Sequence, residues 1–128
     1  MDWCDWKYGV LYTGGGSQDK TIRQWDVNLF KEIKRVHTES QVSSVHCLSK
    51  YKELVTAHGF YTNDLNLWKF DKMKHVKSFG SHDSRILHTA VSPDQSKLIS
   101  LGPDENLKFW KIGEECSSKS RRDSLLIR

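Results

Sequence analysis

Trp25, Trp68 and Trp110 lie 43 and 42 residues apart, and each occupies the same local pattern. Three residues earlier stands Ile22, Leu65 or Leu107, and two residues earlier the polar Arg23, Asn66 or Lys108. The next residue is polar, Asp26, Lys69 or Lys111, and the one after it apolar, Val27, Phe70 or Ile112. Apolar side chains alternating with polar ones belong to a strand with one buried face. Three copies at a nearly constant period mean an internal repeat, so the fold must be built from one recurring supersecondary unit that buries its faces against its neighbours.

A period near 42 carrying a short strand that ends in Trp-Asp or Trp-Lys is that of an all-β, WD-repeat β-propeller, in which each repeat forms a four-stranded blade. The blades are expected at about residues 1–36, 37–79 and 80–112. The first has strands at 10–13, 21–27 and 32–36, with only the tail of an inner strand before them. The second is complete, with strands at 42–48, 53–57, 65–70 and 75–79. The third has strands at 86–91, 97–101 and 107–112 and lacks its outer strand. A seven-bladed ring needs about 300 residues at roughly 40 to 45 per blade, so the chain reads as three C-terminal blades of a larger ring. Residues 113–128 are rich in Ser, Lys, Arg and Glu without apolar periodicity, which predicts a flexible tail ending in Ile127-Arg128.

Composition excludes several functional classes. No apolar run reaches the length of a membrane-spanning helix, and no membrane partner is expected. The N-terminus lacks the basic start and apolar middle of a signal peptide. Cys4, Cys47 and Cys116 have no CxxC spacing and cannot all pair. The nucleus and cytoplasm are therefore the expected compartments. A net charge of +4, much of it in the tail, does not call for a nucleic-acid surface.

The GGG run at 14–16 before Lys20-Thr21 is not a phosphate loop, because Asp19 stands where that loop needs glycine and a strand follows. His46 and Cys47 are adjacent on an alternating strand and point to opposite faces, which argues against a metal site. Ser81, His82 and Asp83 are consecutive and cannot form a nucleophilic relay. No cofactor, metal or catalytic residue is expected.

His82 has a structural reading instead. In WD-repeat blades a His before the inner strand, a Ser or Thr on the second strand, the Trp of the third and an Asp in the intervening turn form a buried hydrogen-bonded set. In the third repeat these are His82, Ser100, Trp110 and Asp104, with a partial set of Thr13, Asp19 and Trp25 in the first.

The runs GGGSQDKTIRQWD at 14–26, SQVSSV at 40–45, KELV at 52–55 and HGFYTNDLNLWK at 58–69 are followed by SRILH at 84–88, SPD at 92–94 and DENLKFW at 104–110. In this order they resemble the Fizzy-type co-activators of the anaphase-promoting complex, which also end in Ile-Arg. The WCDW opening at 3–6 resembles that family's Trp-Cys-Pro-Trp. The resemblance implies a substrate-recognition propeller of a ubiquitin-ligase activator, with degron-bearing substrates and a tetratricopeptide subunit of the ligase as partners.

It further implies that Ile127 and Arg128 dock to that subunit, the first in an apolar pocket and the second through charge-assisted hydrogen bonds. By the same resemblance Glu105 takes the arginine of a destruction box, and Ser17, Gln41 and Arg85 bind a Lys-Glu-Asn box. Read from the residues alone, Glu105 is equally a solvated turn carboxylate, and the other three are equally loop caps. Ser81 in place of the usual Gly, Leu101 in place of a small residue and Pro103 in the last turn mark either a divergent member or a truncated product under relaxed constraint. Phosphorylation among Ser117, Ser118, Ser120 and Ser124 would oppose the positive charge of the tail and weaken docking. The alternatives are a generic WD-repeat interaction scaffold or a propeller fragment without function.

Overall fold

The computed structural model describes residues 1–112 and 125–127. They form three four-stranded antiparallel sheets. The first contains β1 (Asp2–Trp3), β2 (Val10–Gly14), β3 (Thr21–Asp26) and β4 (Lys31–His37). The second contains β5 (Gln41–Leu48), β6 (Glu53–Gly59), β7 (Asp64–Lys69) and β8 (Lys74–Ser81). The third contains β9 (His88–Val91), β10 (Lys97–Leu101), β11 (Leu107–Lys111) and β12 (Leu125–Ile127). Within each, consecutive strands are neighbours, the meander of a propeller blade.

Burial follows from the stacking of these sheets. β6 is buried at every position because it is an inner strand of the middle sheet, covered on both faces. Its alternating side chains divide between two cores, Leu54 joining Tyr12, Ile22, Val45 and Phe70 on one side, Val55 and Ala57 joining Leu65, Ile86 and Leu98 on the other. β4 alternates between exposed and half-buried positions, as an outer strand should. Each sheet thus finds its core only through a neighbour. Gly80 permits one close approach, since a Cβ there would stand 2.7 Å from the Trp110 ring.

The strands differ from expectation at two places in the third sheet. Ile86 lies outside β9 because its amide bonds His58 O at 3.3 Å and its side chain enters the core shared with the second sheet. The second difference concerns the outer position, expected to be empty. Leu125–Ile127 fill it, pairing antiparallel with β11 in the register Leu107↔Ile127, Lys108↔Leu126 and Phe109↔Leu125. An open β11 edge presents unpaired amide and carbonyl groups, and the chain's own Leu-Leu-Ile segment satisfies them. These three residues are therefore strand where composition predicted flexible tail; the rest of that tail lies outside the described residues.

The strand connections collect at two ends of the stack. Residues 15–20, 38–40, 60–63, 82–87 and 102–106 lie at one end, here the loop end, and 4–9, 27–30, 49–52, 70–73 and 92–96 at the other. Contacts between sheets hold each set in place: Val42 N to Gly15 O at 3.0 Å and Ile86 N to His58 O at 3.3 Å at the loop end, Lys50 N to Gln95 Oε1 at 2.9 Å at the opposite end.

Candidate functional site

The loop end is supported by a buried hydrogen-bonded set in the third sheet. Trp110 Nε1 donates to Ser100 Oγ at 2.8 Å, and Ser100 Oγ lies 2.7 Å from His82 Nε2. His82 Nδ1 is 3.0 Å from Asp104 Oδ2. An ionised carboxylate can only accept, so the neutral His82 ring carries its proton on Nδ1 for Asp104, and its Nε2 accepts a hydrogen bond from the Ser100 hydroxyl, which itself accepts from the Trp110 indole. Burial pushes the Asp104 carboxyl up, but the bonds from His82 and the Asn106 amide outweigh it, and its pKa stays below the usual carboxylate range. The set thereby fixes the turn that carries Glu105, an exposed residue with φ 61°, in the left-handed region uncommon for anything but glycine.

The other two sheets vary this arrangement. In the first, Trp25 Nε1 bonds Thr13 Oγ1 at 2.9 Å, but Asp19 turns to Thr21 and to Arg23, 2.7 Å from its Nη2. The second contains a relay that sequence reading missed: Trp68 Nε1 donates to Thr56 Oγ1 at 2.9 Å, and Thr56 Oγ1 lies 2.8 Å from His58 Nε2. A signal existed, for Thr56 precedes Trp68 by 12 residues just as Thr13 precedes Trp25. What hid it was the histidine, supplied by the end of β6 and not by the segment before β5.

Ser17, Gln41 and Arg85 come from different sheets, and a series of contacts brings them to one face. Val42 N donates to Gly15 O at 3.0 Å, tying the loop that holds Ser17 to the start of β5. Gln41 pairs with Gly59, and a Cβ on Gly59 would stand 2.8 Å from Arg85 Cβ. Arg85 O in turn would lie 3.2 Å from a Cβ on Gly102, at the turn bearing Glu105. The four residues thus run along the loop end in blade order. Sequence reading missed Phe60, whose ring lies 4.8 Å from the Arg85 guanidinium carbon and which is 63% exposed. Stacking of this kind holds a guanidinium while leaving its N–H donors outward for a ligand.

Charge divides between the ends. Asp19, Glu39, Asp64, Asp83, Asp104 and Glu105 lie at or beside the loop end against Lys20 and Arg85, while at the other end Lys7, Lys50, Lys52 and Lys72 are interspersed with Asp5, Asp71 and Asp94. A chain of net positive charge therefore presents a largely acidic face around Arg85. Of the tail anchor, the backbone of Ile127 lies in β12 and Arg128 falls outside the described residues.

No protein-family model matches the chain. Individual relatives do. It is 41% identical over 115 residues to the anaphase-promoting complex subunit cdc20 of Dictyostelium discoideum, covering 90% of this chain and 23% of that protein. The chain is homologous to the Cdc20/Cdh1 activators of the anaphase-promoting complex. Identity is 38% over 112 residues to the WD repeat-containing protein slp1 of Schizosaccharomyces pombe, covering 86% of this chain and 23% of slp1. With the APC/C activator protein CDH1 of Saccharomyces cerevisiae it is 32% over 127 residues, 99% of this chain and 22% of CDH1. A chain of the crystal structure of the mitotic checkpoint complex superposes with a TM-score of 0.84 at 36% identity, over 88% of this chain and 35% of that one. The three sheets are accordingly part of a WD-repeat propeller, and the chain spans about a quarter of the length of these curated relatives.

Proposed function

We propose that this chain is part of a non-enzymatic adaptor that presents substrates to the anaphase-promoting complex, acting in the nucleus and cytoplasm. The observation that carries this reading is the contact series from the Ser17 loop through Gln41, Gly59 and Arg85 to the Glu105 turn, which gathers polar side chains of three blades on one face. An extended Lys-Glu-Asn segment suits that face: Arg85, stacked on Phe60, pairs its glutamate, and Gln41 and Ser17 meet its polar side chains. Glu105 would take the arginine of a destruction box. No step of chemistry is required of the chain, because holding a substrate near a ubiquitin-transfer centre raises its effective concentration there.

The second half of the proposal is that Ile127 and Arg128 dock to a tetratricopeptide subunit of the ligase. The pairing of Ile127 with Leu107 gives this a condition: the C-terminal strand must leave β11 before its last two residues can enter a groove elsewhere.

The test of the recognition face is titration of a labelled Lys-Glu-Asn peptide into the full chain. The peptide should bind, and Arg85→Glu should weaken it by about tenfold or more, since a like charge replaces a charge-assisted bond. Equal affinity of wild type and Arg85→Glu would overturn the assignment.

A further inference from the structure

A cavity of about 270 Å³ opens between the β4–β5 connection of the first sheet and the outer part of the second. Its walls include Glu39 from the connection, Asp64 and Trp68 from β7, and His75 and Ser78 from β8. None of these belongs to the contact series described above. The volume falls just below the roughly 300 to 1,000 Å³ typical of small-molecule sites, and so suits one inserted side chain better than a cofactor.

The lining specifies the kind of side chain. Glu39 makes no hydrogen bond or ion pair among the described residues, so its carboxylate is available. Asp64 Oδ1 accepts from Thr62 at 2.6 Å, but Oδ2 has only a long bond from Ser78 at 3.3 Å and retains acceptor capacity. Trp68 and His75 meet edge to face with centroids 5.0 Å apart, forming an aromatic wall. The lining also includes His37 and His58, and with the imidazoles neutral the two carboxylates disfavour an anion. An aromatic wall beside them favours a flat, weakly hydrated cation over a compact ammonium, and a planar fork of N–H donors can serve two carboxylates at once.

We propose that this interblade cavity binds a guanidinium group, supplied by an arginine side chain of an extended protein segment lying across the loop end. Glu39 and Asp64 accept its hydrogen bonds and the Trp68–His75 wall takes its flat face. The site is separate from Glu105, which stands on the third sheet, and it does not depend on the identity of any degron.

The probe is N-acetyl-argininamide added to the full 128-residue chain, followed by NMR at the Trp68 indole N–H and the His75 ring. A saturable shift in the millimolar range is expected, as suits so small a ligand. The neutral isostere N-acetyl-citrullinamide should bind about tenfold more weakly or worse, and Glu39→Gln should weaken the arginine probe by a similar factor. Glu39 is exposed and has no internal partner to lose, so that variant keeps the fold. The proposal is overturned by shifts that do not saturate, by equal response to citrulline, or by an unchanged response in Glu39→Gln.

Discussion

Replacing Thr56 by Val asks whether the buried relay of the middle blade stabilises the propeller segment as the geometry says. Thr56 is fully buried, and its hydroxyl is the partner of both Trp68 Nε1 and His58 Nε2. Valine keeps the shape and removes the hydroxyl, leaving two buried polar groups unpaired at about 1 to 3 kcal/mol each. The added methyl returns less than about 1 kcal/mol, so a net loss of about 1 to 5 kcal/mol is expected. In urea, with m of about 1 to 3 kcal/mol/M, the midpoint should fall by roughly 1 M with m unchanged. Thr56→Ser provides the control, because it keeps the hydroxyl and loses only a methyl, at about 1 kcal/mol. The reasoning is refuted if serine costs more than valine, for packing and not hydrogen bonding would then hold the site together.

Burial holds the imidazoles of His46 and His58 below the ordinary value of 6.5, so the unfolded chain binds protons that the folded chain refuses. Stability should be fully present above pH 6.5 and decline as pH falls below it, and His46→Gln should flatten the slope of urea midpoint against pH. Gly80→Ala places a methyl 2.7 Å from the Trp110 ring and should lower stability by about 1 to 3 kcal/mol in the same assay. Leu125→Gly with Leu126→Gly should loosen β12 and strengthen binding of the whole chain to the tetratricopeptide subunit, measured by surface plasmon resonance; unchanged or weaker binding would show that the strand does not withhold the anchor.

What could be read in the sequence was what repeats. The spacing of Trp25, Trp68 and Trp110 and the alternation around them placed β3, β7 and β11, and the third-sheet set followed from motif positions. Tertiary contacts set the remainder. Ile86 leaves its strand for a core that no local pattern announces, and Leu125–Ile127 pair with an edge whose availability only the folded sheet reveals. Phe60 beneath Arg85 and the cavity at Glu39 depend on loops that meet across sheets. A histidine reaching Thr56 from two residues along the same strand substitutes for one expected far away in sequence.

The adaptor reading stands or falls on simultaneous binding. An immobilised Lys-Glu-Asn peptide should retain the purified anaphase-promoting complex only when the chain is added. Deleting Ile127 and Arg128 should release the ligase while the chain stays bound, and Arg85→Glu should release both. A ligase retained equally without the chain, or not retained with it, would contradict the account.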